Sequence, residues 1–477
     1  MLSLSVSLMA TWEALCSTFM SALVSGGPTA LIYGFIISFA GSLSTAASLA
    51  EMASAFPTPG GQYHFVSTLA PERIRKGLSW VAGWITTFGW IAVAASAPFL
   101  SGTMIQGLLV LNYDDYVFQR WHGTLLYWGI LVISAFVNIK GSRLLSLIEY
   151  LSLAFHVGAF LAVLVVICVV SPTKHDAKFV FTETINSSGW SHDGIAWCVG
   201  LLSGCYVLIG YDGAIHLSEE MRNPRIDIPT AMIGTIIING TMGLGFLVAV
   251  LFCMGDMDST LNTRTGYPII QIFWNITGNV HSATALCCTV VIMAGLASIP
   301  LLMSASRMLW VLARDKAFPA ASFLSRVDEA KQIPANSVLV TSVLLALIGL
   351  INVGSTTAFN AVVSLAVFGL ELSYLLPICL LVHHRVTSAH PIPRGPWSMG
   401  RFGMPVNVVS ICFLTFTCFF LVFPPYQPVT AANMNYASAV FGAACICSGF
   451  YWLLKGQRVY EGPVLPESSS LNTFDRP

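Results

Sequence analysis

Charged residues are scarce in this 477-residue chain, at only 9% of the sequence. In soluble domains about a quarter of the residues are charged. Lysine and arginine together number 22, and aspartate and glutamate also number 22. A chain without a basic excess lacks the electrostatic footprint of a nucleic-acid-binding protein. The composition therefore predicts an integral membrane protein whose surroundings are the lipid bilayer, with no nucleic-acid partner.

Cysteine motifs with metal-binding or redox spacing are also lacking. The twelve cysteines are scattered through apolar runs, and Cys287-Cys288 and Cys445-Ile-Cys447 have neither kind of spacing. Such cysteines usually act as small buried residues. We find no convincing nucleophile–base pair and no filter-like repeat. We therefore expect no metal, no cofactor, no enzymatic activity and no channel.

Long apolar runs make up most of the remaining sequence. A run of about 17–25 apolar residues can cross a bilayer as a helix. The sequence predicts twelve spans, near residues 2–25, 28–55, 78–111, 121–139, 146–171, 194–217, 229–255, 279–311, 336–353, 356–383, 404–423 and 434–455.

The lysines and arginines predict the orientation of these spans. With a cytoplasmic N-terminus, 18 of the 22 lie on the inner side. The outer loops then hold only Arg120, Lys174, Lys178 and Arg264. This asymmetry is the positive-inside pattern. We therefore expect both termini in the cytoplasm of a multi-pass plasma-membrane protein.

Two glycosylation sequons fall on the outer side in this topology. They begin at Asn186 and Asn275, which are therefore candidate glycosylation sites. A third sequon begins at Asn239, but it lies within the seventh span and we do not expect it to be modified.

The two ends of the chain differ from its apolar interior. The first run carries Trp12 and Glu13 and does not have the form of a cleaved signal peptide. Because this run begins almost at Met1, we expect that the N-terminus is truncated. Residues 1–455 are predicted to form one transmembrane domain. Residues 456–477 are predicted to be a short disordered cytoplasmic tail.

A carboxylate interrupts the first span. In Ala10-Thr-Trp-Glu-Ala14, Thr11 offers a hydroxyl, Trp12 an aromatic face and Glu13 a negative charge. A carboxylate in hydrocarbon is costly, so it normally faces a partner or a water-filled path. We predict a broken helix with Ala10, Thr11, Trp12 and Glu13 at a substrate site. The alternative is an ordinary helix with Glu13 near the membrane surface.

The sixth span has a similar interruption. Its glycines can unwind the backbone, and its tyrosines can cover an alkyl chain or hold an ammonium group. Paired broken helices are the best sequence indicator of a transporter's substrate site. The alternative is that the glycines serve only close helix packing. The residues predicted to face substrate are Ser203, Gly204, Tyr206, Val207, Gly210, Tyr211 and Asp212.

Further ionisable residues are candidates for coupling or gating. They are Glu149 in the fifth span, His216 near Asp212, and Glu371 in the tenth span. Histidine changes charge near neutral pH. Each of the three could instead make a structural hydrogen bond. Asp212 is a gating candidate as well as a substrate-facing one.

Two proline-containing segments are predicted to be loops. Residues 56–63, Phe-Pro-Thr-Pro-Gly-Gly-Gln-Tyr, have the composition of a turn. Pro224 and Pro229 are expected to break the helix between the sixth and seventh spans. Glu51, near the membrane surface, is expected to pair with a loop cation.

Several longer segments occur in an order typical of one family. They are Ala10-Thr-Trp-Glu-Ala-Leu15, Gly26-Gly-Pro28, Ser48-Leu-Ala-Glu-Met-Ala-Ser54, Phe56-Pro-Thr-Pro-Gly-Gly-Gln-Tyr63, Gly210-Tyr-Asp-Gly-Ala-Ile-His-Leu-Ser-Glu-Glu220 and Ser306-Arg-Met-Leu-Trp-Val-Leu-Ala-Arg-Asp315. With these segments the chain resembles the amino acid–polyamine–organocation (APC) superfamily, and within it the fungal amino-acid, GABA and choline permeases. The resemblance covers nearly the whole chain.

The resemblance implies an all-α fold of about twelve transmembrane helices. Its core is a leucine-transporter-like 5+5 inverted repeat, with two extra helices and with spans 1 and 6 broken at mid-membrane. It also implies transport by alternating access, usually coupled to protons in fungi. Sodium, held by hydroxyls in the eighth span such as that of Ser298, is the alternative coupling ion.

One departure from the superfamily pattern bears on the substrate. Many members have a Gly-Ser-Gly-type segment in span 1 whose amides hold an α-carboxylate, but here Ala10-Thr11-Trp12 precedes Glu13. Trp12 would crowd that cradle, and Glu13 would repel a carboxylate. We therefore expect import of a small amine or amino acid such as GABA, choline or a polyamine. The alternatives are a choline-specific permease and a nutrient receptor that keeps the permease fold without transport. The sequence defines no oligomeric state.

Overall fold

Helices account for nearly all of the regular structure in the computed structural model, which describes residues 1–141, 144–328, 333–387, 392–431 and 433–463. Twelve helices in this part of the chain are long and apolar enough to cross a membrane. We number them as spans 1 to 12: Leu2–Val24, Gly27–Ala55, Glu72–Asn112, Arg120–Lys140, Leu145–Val170, Asp193–Glu220, Pro224–Cys253, Val280–Arg314, Ala335–Gly354, Thr356–Thr387, Gly400–Phe420 and Ala437–Val459. Shorter helices between them are Gln62–Leu69, Ala177–Thr182, Met257–Leu261, Pro268–Thr277 and Ala321–Leu324.

Spans that are five apart in the chain pack against each other. Span 2 contacts span 7, span 3 contacts span 8, and span 4 contacts span 9. Both halves of span 1 contact span 6. This interleaving is the arrangement expected of two five-helix repeats. Spans 11 and 12 lie outside it, where span 11 packs on spans 2 and 10, and span 12 packs on spans 3 and 10.

Large apolar side chains are found both inside the helix bundle and on its outer surface. Trp12, Phe19 and Trp90 are fully buried, whereas Phe136 and Ile446 are more than half exposed. Soluble monomers rarely expose wide apolar surfaces to water. Together with the twelve apolar helices, this surface identifies a multi-pass membrane protein whose exterior contacts lipid.

A glycine turn closes one end of the bundle. Gly26 and Gly27 have φ values of +114° and +69°, which non-glycine residues rarely adopt. The Gly26 amide donates to the Ile185 carbonyl at 2.7 Å, and the Ser187 amide donates to the Val24 carbonyl at 2.9 Å. Gly26-Gly-Pro28 therefore forms a turn, and backbone hydrogen bonds hold residues 185–187 over it.

Span 6 reaches the same turn through a glycine. A Cβ atom on Gly200 would lie 1.8 Å from the Ser25 carbonyl oxygen, so no other residue fits there without a shift of the backbone. The loop over the turn is also tied to the segment after span 11, because the Gln427 amide donates to the Ser188 carbonyl at 2.7 Å.

The expectation that Pro229 breaks a helix is wrong. Pro224 begins span 7, but Pro229 lies inside that span. A proline within a helix leaves the carbonyl four residues earlier without its usual donor. Here that carbonyl belongs to Arg225, and it accepts a hydrogen bond from the Ser54 hydroxyl at 2.7 Å. The replacement donor allows the helix to continue.

Two other boundaries and the partner of Glu51 also differ from the prediction. The predicted loop 56–63 ends early, because a helix begins at Gln62. Glu51 pairs with Arg385 at 2.6 Å, and this cation lies in the last turns of span 10, not in a loop. Span 12 runs to Val459, beyond the predicted boundary at 455. Most of the predicted tail, residues 464–477, lies outside the described residues.

Candidate functional site

Span 1 is broken at Ala10, as predicted. Its first half ends at Met9, its second half begins at Thr11, and Ala10 between them has the left-handed values φ 41° and ψ 52°. The first amides of a helix have no intrahelical acceptor. The Thr11 amide instead donates to Asn239 Oδ1 at 3.1 Å. The Asn239 side-chain amide donates in turn to the Val6 carbonyl at 3.2 Å. One side chain of span 7 therefore bonds to both sides of the break.

Span 6 is interrupted by four residues, 207–210, between its two helical halves. The α-helix Asp193–Tyr206 gives way to an irregular segment and then to a 3-10 helix that begins at Tyr211. Gly210 supplies the required positive φ, +88°. The Thr11 hydroxyl donates to the Val207 carbonyl at 2.7 Å. Thr11 therefore joins the two breaks, and its hydroxyl hydrogen is already used within the protein.

Glu13 is fully buried in the first turn of the second half of span 1. The positive end of a helix dipole stabilises a carboxylate at this position. Glu13 Oε1 lies 2.8 Å from His156 Nδ1 of span 5, and neither side chain reaches the surface. Among the described residues, Glu13 Oε2 and His156 Nε2 have no hydrogen-bond partner. The pair therefore retains unused hydrogen-bonding capacity.

A cavity of about 50 Å³ lies beside Glu13 and between spans 1, 3, 6 and 8. Its polar lining comes from Glu13, Ser96 and Tyr206, and Glu13 is the one charged side chain among the residues that line it. A water molecule needs roughly 10–15 Å³ of such space, so this volume admits a few waters. A larger ligand requires the walls to move apart. The remaining lining residues are Leu8, Met9, Ala10, Ala14, Val93, Ala97, Leu100, Ile209, Ala294, Ala297 and Leu301.

Asp212 lies at a different junction, where it is fully buried and surrounded by donors. Its Oδ2 accepts from Gln62 Nε2 at 2.5 Å and from Trp90 Nε1 at 3.0 Å. Its Oδ1 accepts from the Tyr374 hydroxyl at 2.6 Å. His216 Nε2 is 3.4 Å from Oδ2. The three donors come from the helix after span 2 and from spans 3 and 10, an arrangement suited to a gate.

The other predicted substrate-facing residues are divided between the cavity and its surroundings. Ser203 and Gly204 lie in regular helix before the break, and a Cβ on Gly204 would meet Ser38 Oγ at 2.9 Å. The Gly204 position therefore serves helix packing and not unwinding. The Tyr211 ring lies beside the Tyr374 ring, with centroids 5.3 Å apart and planes tilted by 35°.

Trp12 lies behind the cavity wall. Its ring packs against Phe246 at 5.4 Å and against His156 and Phe160 at 6.3 Å. The indole is absent from the cavity lining, because the α-helical twist after Ala10 directs Trp12 and Glu13 to different neighbours. The substrate contacts assigned to Trp12, Tyr211, Ser203 and Gly204 stay predictions.

The coupling and gating candidates Glu149, Glu371 and His216 lie in three different environments. Glu149 of span 5 is buried, and its two carboxylate oxygens have no hydrogen-bond partner among the described residues. Glu371 Oε2 accepts from the Thr417 hydroxyl of span 11 at 2.5 Å. His216 Nδ1 lies 2.9 Å from the Pro59 carbonyl, so His216 joins the loop after span 2 to the Asp212 junction.

Both sequon asparagines are partly buried and already hydrogen-bonded. The Asn186 side-chain amide donates to the Trp190 carbonyl at 2.7 Å, and that of Asn275 donates to Ser259 Oγ at 3.2 Å. These contacts disfavour modification of the folded chain. Glycosylation at either position stays a prediction.

His156 and Asn239 were missed by the sequence reasoning. Glu149, Ser152 and His156 are three and four residues apart, so they share one face of span 5, and all three are buried. This polar face in an otherwise apolar span was the available signal. Asn239 was considered only as a sequon within a span, although a buried amide there needs partners.

The broken pair of helices around a buried carboxylate defines a transporter of the permease class. A family model described as amino acid permease matches residues 2–445. The chain belongs to this family, within the APC superfamily, and it is a transporter and not an enzyme.

Curated relatives support this assignment along the whole chain. Amino-acid permease 2 of Neurospora crassa is 31% identical over 97% of this chain and 85% of its own length. The choline transporter of Saccharomyces cerevisiae is 30% identical over 98% of this chain and 82% of its own length. Amino-acid permease BAT1 of Arabidopsis thaliana is 30% identical over 97% of this chain and 92% of its own length.

Proposed function

We propose that this permease imports a small amine or amino acid, such as GABA or choline, across the plasma membrane by proton-coupled alternating access. The observation that carries the proposal is Glu13 Oε2, which has no partner among the described residues and belongs to a side chain that lines the cavity between spans 1, 3, 6 and 8. A buried carboxylate beside a mostly apolar wall suits a ligand with an ammonium group and a short carbon chain. The N-terminus and C-terminus face the cytoplasm in this proposal, in keeping with the inner-side excess of lysine and arginine.

Glu13 and Asp212 have different roles in this proposal. Glu13 has a free oxygen and lines the cavity, so it attracts the ammonium group. Asp212 already accepts three hydrogen bonds and lies close to His216. Displacing these donors would be costly, because hydrogen bonds to a charged group contribute about 1.5–3 kcal/mol each. Asp212 therefore holds the inner gate closed and does not bind substrate.

A choline-specific permease is the narrower alternative. It is favoured by the cavity's single carboxylate, by Tyr206, whose ring can contact a quaternary ammonium, and by the similarity to a choline transporter. A zwitterionic substrate would also need a partner for its carboxylate. A panel of competing substrates distinguishes the two proposals.

The test is radiolabelled uptake in a permease-deficient yeast across a range of external pH. GABA, choline, polyamines and standard amino acids are supplied singly and in competition. We expect saturable uptake of at least one amine-ended compound, and a large loss in Glu13→Gln. The exposed Glu183→Gln receives the same chemical change as a control. Normal surface expression with no uptake of any compound would instead support a non-transporting receptor.

A further inference from the structure

We propose that Glu13 and His156 together form the binding site of the transported proton, and that this site makes coupling depend on substrate charge. A zwitterion such as GABA is carried with one proton, whereas a permanent cation such as choline is carried without one. The inference rests on the proposed function, because it assigns the coupling site of that same transport cycle.

The geometry of the pair allows it to gain a proton without losing its hydrogen bond. A neutral imidazole can donate its Nδ1 hydrogen to Glu13 Oε1, at the observed 2.8 Å. An added proton can then bind at His156 Nε2, which has no partner among the described residues, while Glu13 Oε2, also without one, stays available to an ammonium group. Binding requires only one new N–H bond, and release breaks that bond.

Because of its surroundings, the net charge of the Glu13–His156 pair decides which substrate charge fits the site. Both side chains are fully buried, and the cavity beside them is lined mostly by apolar side chains. An uncompensated charge in such a site is costly. With the proton, the pair has no net charge, which suits a zwitterion. Without it, the pair has one negative charge, which suits a cation.

Each transport cycle then balances its charges. A zwitterion and a proton enter the pair's site from outside and leave to the cytoplasm, and the empty site returns without the proton. Choline enters the unprotonated site, leaves to the cytoplasm, and the same unprotonated site returns. Each cycle therefore moves one positive charge inward, but only the zwitterion cycle moves a proton.

Span 5 offers a route for the proton toward the cytoplasm. Glu149 lies on the same face as His156, seven residues earlier, which is about 10 Å along the helix axis. Ser152 lies between them, and all three side chains are buried. In the proposed orientation, the Leu145 end of this span is cytoplasmic. Glu149 therefore lies on the cytoplasmic side of His156, where a proton relayed across that distance can bind.

Other titratable groups lie near the pair. Cys16 on span 1 interacts with Glu13, and Tyr206 on span 6 lines the same cavity. Cys287 on span 8 and Tyr267, which precedes the helix Pro268–Thr277, lie beside Cys16. Thiols and phenols ordinarily ionise above about pH 8, so these groups stay neutral during uptake. Asp212 and His216 lie 3.4 Å apart at the proposed gate, and His216 also contacts the Pro59 carbonyl there.

The experiment measures charge and proton movement per substrate in proteoliposomes of the purified full chain. Radiolabel reports substrate, an internal pH dye reports protons, and a set membrane potential reports charge. We expect one charge and one proton per GABA, and one charge and no proton per choline. A chain that carries only one of these substrates must show the ratio given for it.

Two substitutions should change the preference in opposite directions. Asparagine at 156 keeps a donor near Glu13 but cannot hold a proton, so His156→Asn should lower the GABA-to-choline uptake ratio at least about tenfold. Glu13→Gln should abolish choline uptake and leave residual GABA uptake without proton movement. The exposed His281→Asn serves as the matched control and should retain the ratio.

Failure of this inference can be told apart from failure of the proposed function. Equal proton-to-substrate ratios for GABA and choline, or an unchanged uptake ratio in His156→Asn, would overturn the inference and leave the transporter assignment standing. If the reconstituted protein carries no amine or amino acid, both the inference and the proposed function are rejected.

Discussion

Ala10 holds a backbone conformation that its side chain disfavours. It is one of the few non-glycine residues with positive φ in the described chain, together with Lys316 and Ala320. The left-handed conformation costs an L-residue roughly 1–2 kcal/mol. The hydrogen bonds from Thr11 to Asn239 and from Asn239 to Val6 offset this cost. The break therefore depends on these tertiary contacts and not on local sequence preference.

Substitution of Ala10 tests that strain. Ala10→Gly should raise stability by about 1 kcal/mol, because glycine adopts positive φ freely. The same change at Ala95, buried in span 3, should lower stability by about 1 kcal/mol. Thermal unfolding of both variants in detergent gives the comparison. If both variants lost stability, Ala10 would not be left-handed in solution.

The two halves of span 6 differ in conformation and in the contacts they make. The first half is a regular α-helix that packs closely at Gly200 and Gly204, whereas the 3-10 half presents Asp212 to donors from several elements. The ion pairs Glu219–Arg314, at 2.8 Å, and Glu220–Arg307 tie the end of this half to span 8. The contacts around Asp212 and these ion pairs therefore hold the 3-10 half in place.

Asp212→Asn should loosen the proposed gate. An asparagine amide would face donors where the carboxylate now accepts hydrogen bonds, so at least one buried donor would lose its partner, at a cost of about 1–3 kcal/mol. We expect faster hydrogen exchange in residues 62–69 and 211–220. Asp258→Asn, at an exposed aspartate, should leave exchange there unchanged. Identical exchange in the two variants would contradict the gate assignment.

The helix after span 2 should respond to acid through His64. Burial lowers the pKa of His64 to about 4, whereas an ordinary histidine titrates near 6.5. The folded helix therefore favours the neutral ring. Its stability is complete above about pH 6.5 and is lost as the pH falls toward 4, with a loss of about 1.4 kcal/mol at pH 5.5.

Hydrogen exchange at pH 7.5 and pH 5.5, corrected for intrinsic rates, measures that loss. Residues 62–69 of the wild-type chain should become less protected at the lower pH. His64→Gln should remove most of this pH dependence, because glutamine does not titrate in this range. An equal pH dependence in the variant would assign the effect to another group.

Span 12 is attached to the bundle through an aromatic cluster centred on Trp80. The Trp80 ring lies 5.1 Å from Trp452, 5.6 Å from Tyr451 and 5.4 Å from Tyr460. Its Nε1 donates to Ser448 Oγ at 3.0 Å. None of these residues lines the cavity beside Glu13. The cluster therefore stabilises the assembled bundle, away from that cavity.

Trp80→Ala should reduce stability far more than it changes transport. Loss of a buried tryptophan costs about 3–5 kcal/mol. We expect a lower melting temperature in detergent, with substrate affinity in surviving protein close to that of wild type. Trp121→Ala, at a tryptophan that is 51% exposed, should melt near the wild-type temperature. A changed substrate affinity in Trp80→Ala would show that span 12 acts on the site.

The twelve spans and both breaks were predictable because their signals are local. Apolar runs define the spans, and Glu13 and Asp212 mark the breaks. The partners of these charges were not predictable in the same way. His156 lies 143 positions from Glu13 in the chain, and Tyr374 lies 162 from Asp212. Helix packing decides which of the two carboxylates keeps an oxygen without a partner among the described residues. Residue spacing does not encode that packing.

The contacts over the Gly26 turn and the contacts around Asp212 differ in how they tolerate sequence change. Residues 185–187 are held over the Gly26 turn by backbone amides and carbonyls, which almost any side chain leaves intact. The closure around Asp212 consists of side chains, each of which a single substitution can remove. In the proposed orientation, variation among related permeases should therefore change opening toward the cytoplasm readily, while opening toward the outside changes mainly through glycines or loop length.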